Sequence, residues 1–542
     1  MAGLVSLPIV AILVLAFSGS PDDFIRVATN VLPRSAWTTA LLLVGVSLVS
    51  GSIGAISAWL VSFFEFPFRR TIAWLLVLPL AVPTYISAYA FSEFFAFTGP
   101  VQGLVRQIGG FTLARDYWFP DIRSLPGAVL VLGLVLYPYV YLSLRTLFQL
   151  QARRATEAAE ILGASQSRIF FQVLLPLARP ALALGIILAL MEALNDIGAI
   201  QYLGVQTLTL SVFTLWANQS NLAGASQLAL VLLAAVGFLI WAERRARVGQ
   251  LHAGPAPSGR EPFERMGLAR PRAIMALVAC ALPILLGFGV PFFTLGTYAL
   301  RYLSHGLDPQ LIDAVGTSVF LSVTAALVTA GIALYLAYSV RLEGTKRMRL
   351  TVRVASVGYA VPGTVLAIGL LLPLAYVDNL VDGAMRDWFG VATGLLITGS
   401  GATLIYAYAV RFMAMAEGTI DGALSKISPN LDLAAMVYGQ SRLGTLRHIL
   451  LPLVSPAILT AMALVFIEVM KELSATMVLR PFGIETVAIY VHDLATRGQI
   501  EQGALGALMI MLVGIVPVII LTHNAERSAA RAAAVTPQSM SR

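Results

Sequence analysis

Residues 157–163 read Glu157-Ala158-Ala159-Glu160-Ile161-Leu162-Gly163, and Pro176 follows Gly163 by 13 positions within Val173-Leu174-Leu175-Pro176. The arrangement returns as Leu433-Ala434-Ala435-Met436-Val437-Tyr438-Gly439, then Ile449-Leu450-Leu451-Pro452, with the same 13-residue spacing from Gly439. A short helix of small residues lies along the membrane surface, and a glycine lets the chain turn tightly. A basic residue follows, Arg168 or Arg442, and Leu-Pro begins an apolar run. The segment reads as a surface loop about to re-enter a membrane, present twice.

The surroundings support that reading. Of 542 residues, 58% are apolar and 12% charged, where soluble chains carry roughly 25% charge. There is too little polar surface to coat a water-soluble particle, which excludes a cytosolic enzyme and a disordered chain. A span needs about 20 mostly apolar residues. Twelve segments qualify: about 3–18, 36–64, 71–97, 126–150, 180–200, 226–243, 272–297, 315–340, 351–375, 393–415, 456–478 and 503–522. The first is short, and a signal peptide ending near Ala16-Phe17-Ser18 is its alternative reading; it lacks a basic leading region and reads as a retained span. The fold class is therefore an all-α polytopic membrane protein with about 12 spans.

The net charge of +8 follows topology. Basic residues gather on alternate loops, among them Arg69, Arg70, Arg145, Arg153, Arg154, Arg411, Lys426 and Arg447. That bias places both termini in the cytoplasm and removes any need for nucleic acid as a partner. One cysteine, Cys280, excludes an internal disulfide framework, and no Cys/His cluster suggests zinc or iron–sulfur chemistry.

The repeat extends beyond the loops. Leu80-Ala81-Val82-Pro83-Thr84 matches Tyr359-Ala360-Val361-Pro362-Gly363, Thr38 aligns with Thr317, and Thr207-Leu208 aligns with Thr486-Val487. The expected organisation is a first repeat over 1–247 and a basic, Gly/Pro-rich cytoplasmic linker over 248–271. A second repeat covers 272–525, and 526–542 form a tail. Two parallel repeats of six spans suggest a pathway at their interface. Pro83 and Pro362 break the third span of each half, either as packing kinks or as hinges.

Charges inside spans narrow the search further. Glu192 and Asp196 lie in the fifth span of the first half; Glu468, Lys471 and Glu472 lie in that of the second. A carboxylate in lipid costs a few kcal/mol, so it faces a cavity or a partner. Each acidic pair is four residues apart, which on a continuous helix puts both carboxylates on one face. They either line a substrate pathway, with Glu192 and Glu468 as transient oxygen ligands for a hard cation, or pair locally, Lys471 with Glu468 or Glu472. Tyr202, Trp216 and Trp388 read as interfacial anchors, with a cation cage as the alternative.

The two loops resemble the EAA loop of binding-protein-dependent ABC importer permeases, and the likeness covers nearly the whole chain. It implies the type I importer fold, with each half one permease domain. It also implies coupling helices that dock on two copies of a cytoplasmic ATPase subunit: Glu157, Ala158, Ala159 and Gly163 in the first, Ala434, Ala435 and Gly439 in the second. Leu433 departs from the pattern, since an acid is expected there and Asp432 stands one position earlier. The chain lacks a GxxxxGK[ST] sequence, so ATP and Mg belong to the partner subunit and the chain itself holds no cofactor. Met191-Glu192-Ala193-Leu194-Asn195-Asp196-Ile197-Gly198 and Val469-Met470-Lys471-Glu472-Leu473-Ser474-Ala475-Thr476 are similar to ferric-iron importer permeases. The implied function is passage of ferric iron, delivered by a periplasmic binding protein, through the bacterial inner membrane. Thiamine, phosphonate or polyamine importers share the architecture, and an ion-coupled secondary carrier is the alternative from another class.

Overall fold

A computed structural model describes residues 2–251 and 265–534; residues 252–264 of the expected linker and 535–542 of the expected tail lie outside them. Among the described residues, nine helices are long and apolar enough to cross a membrane. A bent pair, Arg69–Ala81 with Thr84–Phe94, makes a tenth, its two parts meeting at 96°. Two of the twelve expected spans correspond to other kinds of helix. Val5–Ala16 is short, and Ala402–Leu424 carries Arg411, Glu417 and Asp421.

The breaks at the two prolines have a local cause. Pro83 and Pro362 lack an N–H and clash with the carbonyl four residues back, so each disfavours a continuing helix. The residue before a proline is pushed to extended backbone, and Val82 (ψ 116°) and Val361 (ψ 124°) both take it. A tight 3-10 turn precedes each break, Leu78–Ala81 and Val357–Ala360, and a new helix starts at Thr84 and Gly363.

The chain packs as two compact units. One gathers Met1–Leu32, Ser211–Leu233 and His305–Asp493; the other gathers Pro33–Leu210, Ala234–Ser304 and Leu494–Arg542. Each therefore takes helices from both sequence repeats. In the first, helix Ala2–Ala16 lies against Gly363–Phe389, and Gly369 lets the two backbones touch at Pro8. In the second, Gly514 of Ile500–Ala534 meets the backbone of Ala81 in the same way. Small residues permit such close approach where lipid supplies no hydrophobic drive between helices. The core of this second unit includes Leu76, Tyr137, Tyr141 and Leu144, all buried. Phe64–Glu65 and Met266–Gly267 form a two-residue parallel pairing in the same unit.

Buried hydrogen bonds repeat with the sequence. Leu208 N–H donates to Thr39 Oγ1 at 2.9 Å, and Val487 N–H donates to Ser318 Oγ at 2.8 Å. Thr207 and Thr486 each accept from the N–H three residues on, Leu210 and Ile489. The aligned Thr-Leu and Thr-Val pairs are thus helix starts tied to the second span of their own half.

Candidate functional site

The two surface loops share one geometry. Gly163 has φ 76° and Gly439 φ 77°, a left-handed backbone that side chains disfavour. Around each, the chain closes a helix end in the same way: Ala164 N–H donates to Ala159 O at 3.0 Å, and Gln440 N–H donates to Ala435 O at 3.0 Å. This six-to-one bond over a left-handed glycine is the Schellman stop. Ser165 and Ser441 then open the next turn, accepting from Arg168 N–H (3.4 Å) and Gly444 N–H (3.1 Å). A five-residue π-helical stretch follows in both, Phe170–Leu174 and Leu446–Leu450. It leads into the interior helices Leu175–Asn195 and Leu451–Met470.

The side chains of Glu157 and Ala158 lie outside the described residues. In the second loop, helix Asn430–Val437 buries Ala435 and exposes Ala434. Val437 and Tyr438 are 85% and 86% exposed, and Leu433 stands out beside them. Asp432 does not point outward as a replacement acid. It pairs with Arg341 at 2.7 Å, and that guanidinium also donates to the carbonyls of Leu424, Ile427 and Ser428. The acid one position early thus fastens the loop to helix Pro309–Glu343, leaving an apolar outer face.

The interior carboxylates require a correction. On one continuous helix each pair would share a face, but both helices end between the members of the pair. Leu175–Asn195 stops as Asp196 turns extended (ψ 112°), and Leu451–Met470 stops at Lys471. The second acid of each pair instead caps the short helix that follows. Asp196 Oδ1 accepts from Ala199 N–H at 2.9 Å, and Glu472 Oε1 accepts from Ala475 N–H at 2.9 Å. Glu472 Oε2 also accepts from Thr476 N–H (3.1 Å) and Thr476 Oγ1 (2.6 Å). An acid at a helix start satisfies orphan N–H groups and meets the positive end of the dipole.

Local pairing accounts for the remaining charges of the second half. Lys471 bridges Glu468 at 2.8 Å, and Glu472 pairs with Arg411 at 3.0 Å. Arg411, read from sequence with the loop arginines, lies instead inside helix Ala402–Leu424, half-buried, and pairs across to another segment. Its signal was a lone cation in an otherwise apolar run. Glu192 lies one turn before Asn195 and is half-buried. Among the described residues, no group of three or more His, Cys, Asp or Glu is placed to hold a metal ion. Tyr202 is engaged by Arg123, which hydrogen-bonds its hydroxyl at 3.0 Å and lies over its ring. Trp216 packs on Phe213, and Trp388 is 78% exposed.

Comparison with known proteins places this geometry. The binding-protein-dependent transport system inner membrane component family matches residues 50–242 and again 328–530. The chain is 25% identical to the Fe(3+)-transport system permease protein FbpB 2 of Haemophilus influenzae, over 90% of this chain and 89% of that protein. It is 32% identical to the sulfate transport system permease protein CysW of Escherichia coli, over 36% of this chain and 64% of that one. The putative 2-aminoethylphosphonate permease PhnV of Salmonella typhimurium is 27% identical over 43% of this chain and 81% of its own length. Two matches to one family, each containing a surface loop, π turn and interior helix, leave one conclusion: the chain belongs to the binding-protein-dependent inner membrane component family, as an ABC importer permease that carries its domain twice.

Proposed function

We propose that this permease passes ferric iron into the cytoplasm, receiving it from a periplasmic binding protein and drawing power from two copies of a separate ATPase subunit. The observation that carries the cargo is the extent of the likeness. Identity to the Fe(3+) permease runs through 90% of the chain, across both repeats, whereas the sulfate and phosphonate relatives match 36% and 43% of it. The charge bias of the loops supports an inner-membrane protein with both termini in the cytoplasm.

The part played by this chain is mechanical. Each loop is continuous with a rigid interior helix of 21 or 20 residues, about 30 Å long at 1.5 Å per residue. That helix ends at a capped break, Asp196 or Glu472. ATP-driven movement of the partner at Gly163 and Gly439 is thereby delivered as a rod displacement to the far end. There Pro83 and Pro362 supply hinges, and Glu192 and Glu468 stand near the route of the cation. The exposed Leu433, Val437 and Tyr438 provide the apolar contact that a docking partner buries.

The test is uptake by proteoliposomes holding the permease, the cognate ATPase and the binding protein. ATP-dependent accumulation of labelled ferric iron is expected, undiminished by excess sulfate or 2-aminoethylphosphonate. Uptake of either anion in place of iron would remove iron as cargo. Transport by the permease alone, without ATPase, would overturn the importer reading itself.

A further inference from the structure

A second charged site lies where the segment after the linker meets the first repeat, apart from the loops and the interior carboxylates. Arg265 immediately precedes Met266–Gly267, which pairs with Phe64–Glu65. Arg69 and Arg70 open helix Arg69–Leu75. Arg145 reaches that helix from Leu125–Ile161, donating Nη1 to Ala73 O at 3.3 Å. Arg69, Arg70 and Arg145 thus lie near enough to Arg265 to act on its charge, as does the carboxylate of Glu65, which Arg69 already occupies at 2.9 Å. Among the described residues no carboxylate pairs with Arg70, Arg145 or Arg265.

Two of these cations are not simply solvated. The Nε groups of Arg145 and Arg265 are buried and, among the described residues, lack a hydrogen-bond partner. Burial, and then the nearby Arg69, lower the pKa of Arg265, with Glu65 opposing and Arg145 and Arg70 adding to the fall. A guanidinium N–H buried without an acceptor is costly, so an anion is expected to complete the site. Guanidinium groups match the oxygens of a phosphate with paired N–H bonds.

The surroundings point to where that phosphate comes from. Trp59 packs on Phe64 and Phe170, with ring centroids 5.1 and 4.7 Å apart, near the end of the apolar helix Leu32–Phe63, where interfacial aromatics are expected. Phe68, beside Arg69, is held at φ 58° and is 74% exposed. A non-glycine residue in that region is uncommon, and such positions cluster at functional sites.

We propose that Arg70, Arg145 and Arg265 bind the phosphate group of an anionic phospholipid, with the exposed Phe68 ring set among its acyl chains. The occupied site joins the segment after the linker to the first repeat, and the bound lipid supplies the charge that Glu65 alone cannot.

Thermal unfolding and native mass spectrometry of the purified full chain test this, with phosphatidylglycerol, phosphatidylcholine and inorganic phosphate as probes. Phosphatidylglycerol is expected to be retained and to raise Tm; phosphatidylcholine and free phosphate are not. Arg145→Gln with Arg265→Gln should weaken phosphatidylglycerol binding at least about tenfold, the loss expected for one charge-assisted hydrogen bond. Lysine at both positions should recover part of it. Arg349→Gln, an exposed position elsewhere, should change nothing, and Arg70→Gln probes the same site if the double variant does not fold. Equal binding of phosphatidylglycerol to the double variant, or equal retention of phosphatidylcholine, overturns the site. Stabilisation by inorganic phosphate as large as that by the lipid overturns the lipid as its source.

Discussion

Arg411 and Glu472 meet 3.0 Å apart at the break of the second half, with the carboxylate side chain 2% exposed and the guanidinium 11%. Both oxygens of Glu472 are in use, one on Arg411 and Ala475 N–H, the other on Thr476. Tyr408 adds a 2.7 Å bond to Thr476 from the same helix as Arg411. One acid therefore performs two tasks: it starts the short helix Ser474–Leu479 and ties it to Ala402–Leu424. Asp196 shares the first task through Ala199. The two breaks have the same cap, and the second carries an ion pair besides.

Arg411→Leu should destabilise the permease strongly. Removing one partner of a buried pair leaves an uncompensated charge, which costs about 3–5 kcal/mol. Adding Glu472→Gln removes that charge while keeping an acceptor for Ala475 N–H, so the double variant should recover much of the loss. Thermal unfolding of the four proteins in a double-mutant cycle measures the coupling. A single Arg411→Leu variant as stable as the wild type would show that the pair does not brace the break.

The reach of the sequence can be judged at these residues. Spacing alone located the repeat, because Gly163 and Gly439 need the same backbone and Thr207 and Thr486 the same cap. It placed the breaks at Pro83 and Pro362 because the two stand at matched positions of the repeat, whereas Pro138 and Pro373 lie inside continuous helices. Spacing could not reveal that Asp196 leaves the helix, because its worth as a cap depends on the turn that comes after it. Nor could it pair Glu472 with Arg411, 61 positions away, when Lys471 was adjacent. The mixing of repeats within each compact unit was likewise illegible. Apolar helices of similar composition are chosen as neighbours by fit at contacts such as Gly369 on Pro8, not by pattern.

Arg341→Ala should loosen the second loop. Its guanidinium pairs with Asp432, only 12% and 17% of the two side chains being exposed, and holds three carbonyls at the loop entrance. Hydrogen bonds to charged groups contribute about 1.5–3 kcal/mol each, not additively. A loss of about 3 kcal/mol is expected, with faster amide exchange over 424–437 by hydrogen–deuterium mass spectrometry. Unchanged exchange there would mean that the loop is held by other contacts.

Gly439→Ala should act through the backbone alone. No atom of the described residues lies within 4 Å of the position its Cβ would take, and φ is 77°. The cost is then the left-handed penalty, about 1–2 kcal/mol, and Gly439→Asn should cost less because asparagine tolerates this region. Gly163→Ala should match it, its backbone being the same and no atom of the described residues lying within 4 Å of its Cβ position. The readout is Tm with ATPase stimulation in the assembled complex. A larger effect from asparagine than from alanine would mean that the outward space is needed by a partner, and that backbone strain is secondary.

Val437→Asp and Tyr438→Asp separate docking from folding. Both side chains are more than four-fifths exposed, so polar replacements should change stability by no more than about 0.5 kcal/mol. A charge placed in a contact that a partner must dry should instead be costly, because interface cores exclude unpaired charges. Co-purification with the ATPase and its stimulation by the binding protein should therefore fall at least about tenfold, while Tm and membrane insertion stay at wild-type values. An equivalent substitution at Trp388, 78% exposed but outside the loop, should leave assembly intact. Retained ATPase binding in the loop variants would move the docking surface away from Asn430–Val437, and with it the first step of the proposed transmission to Glu472.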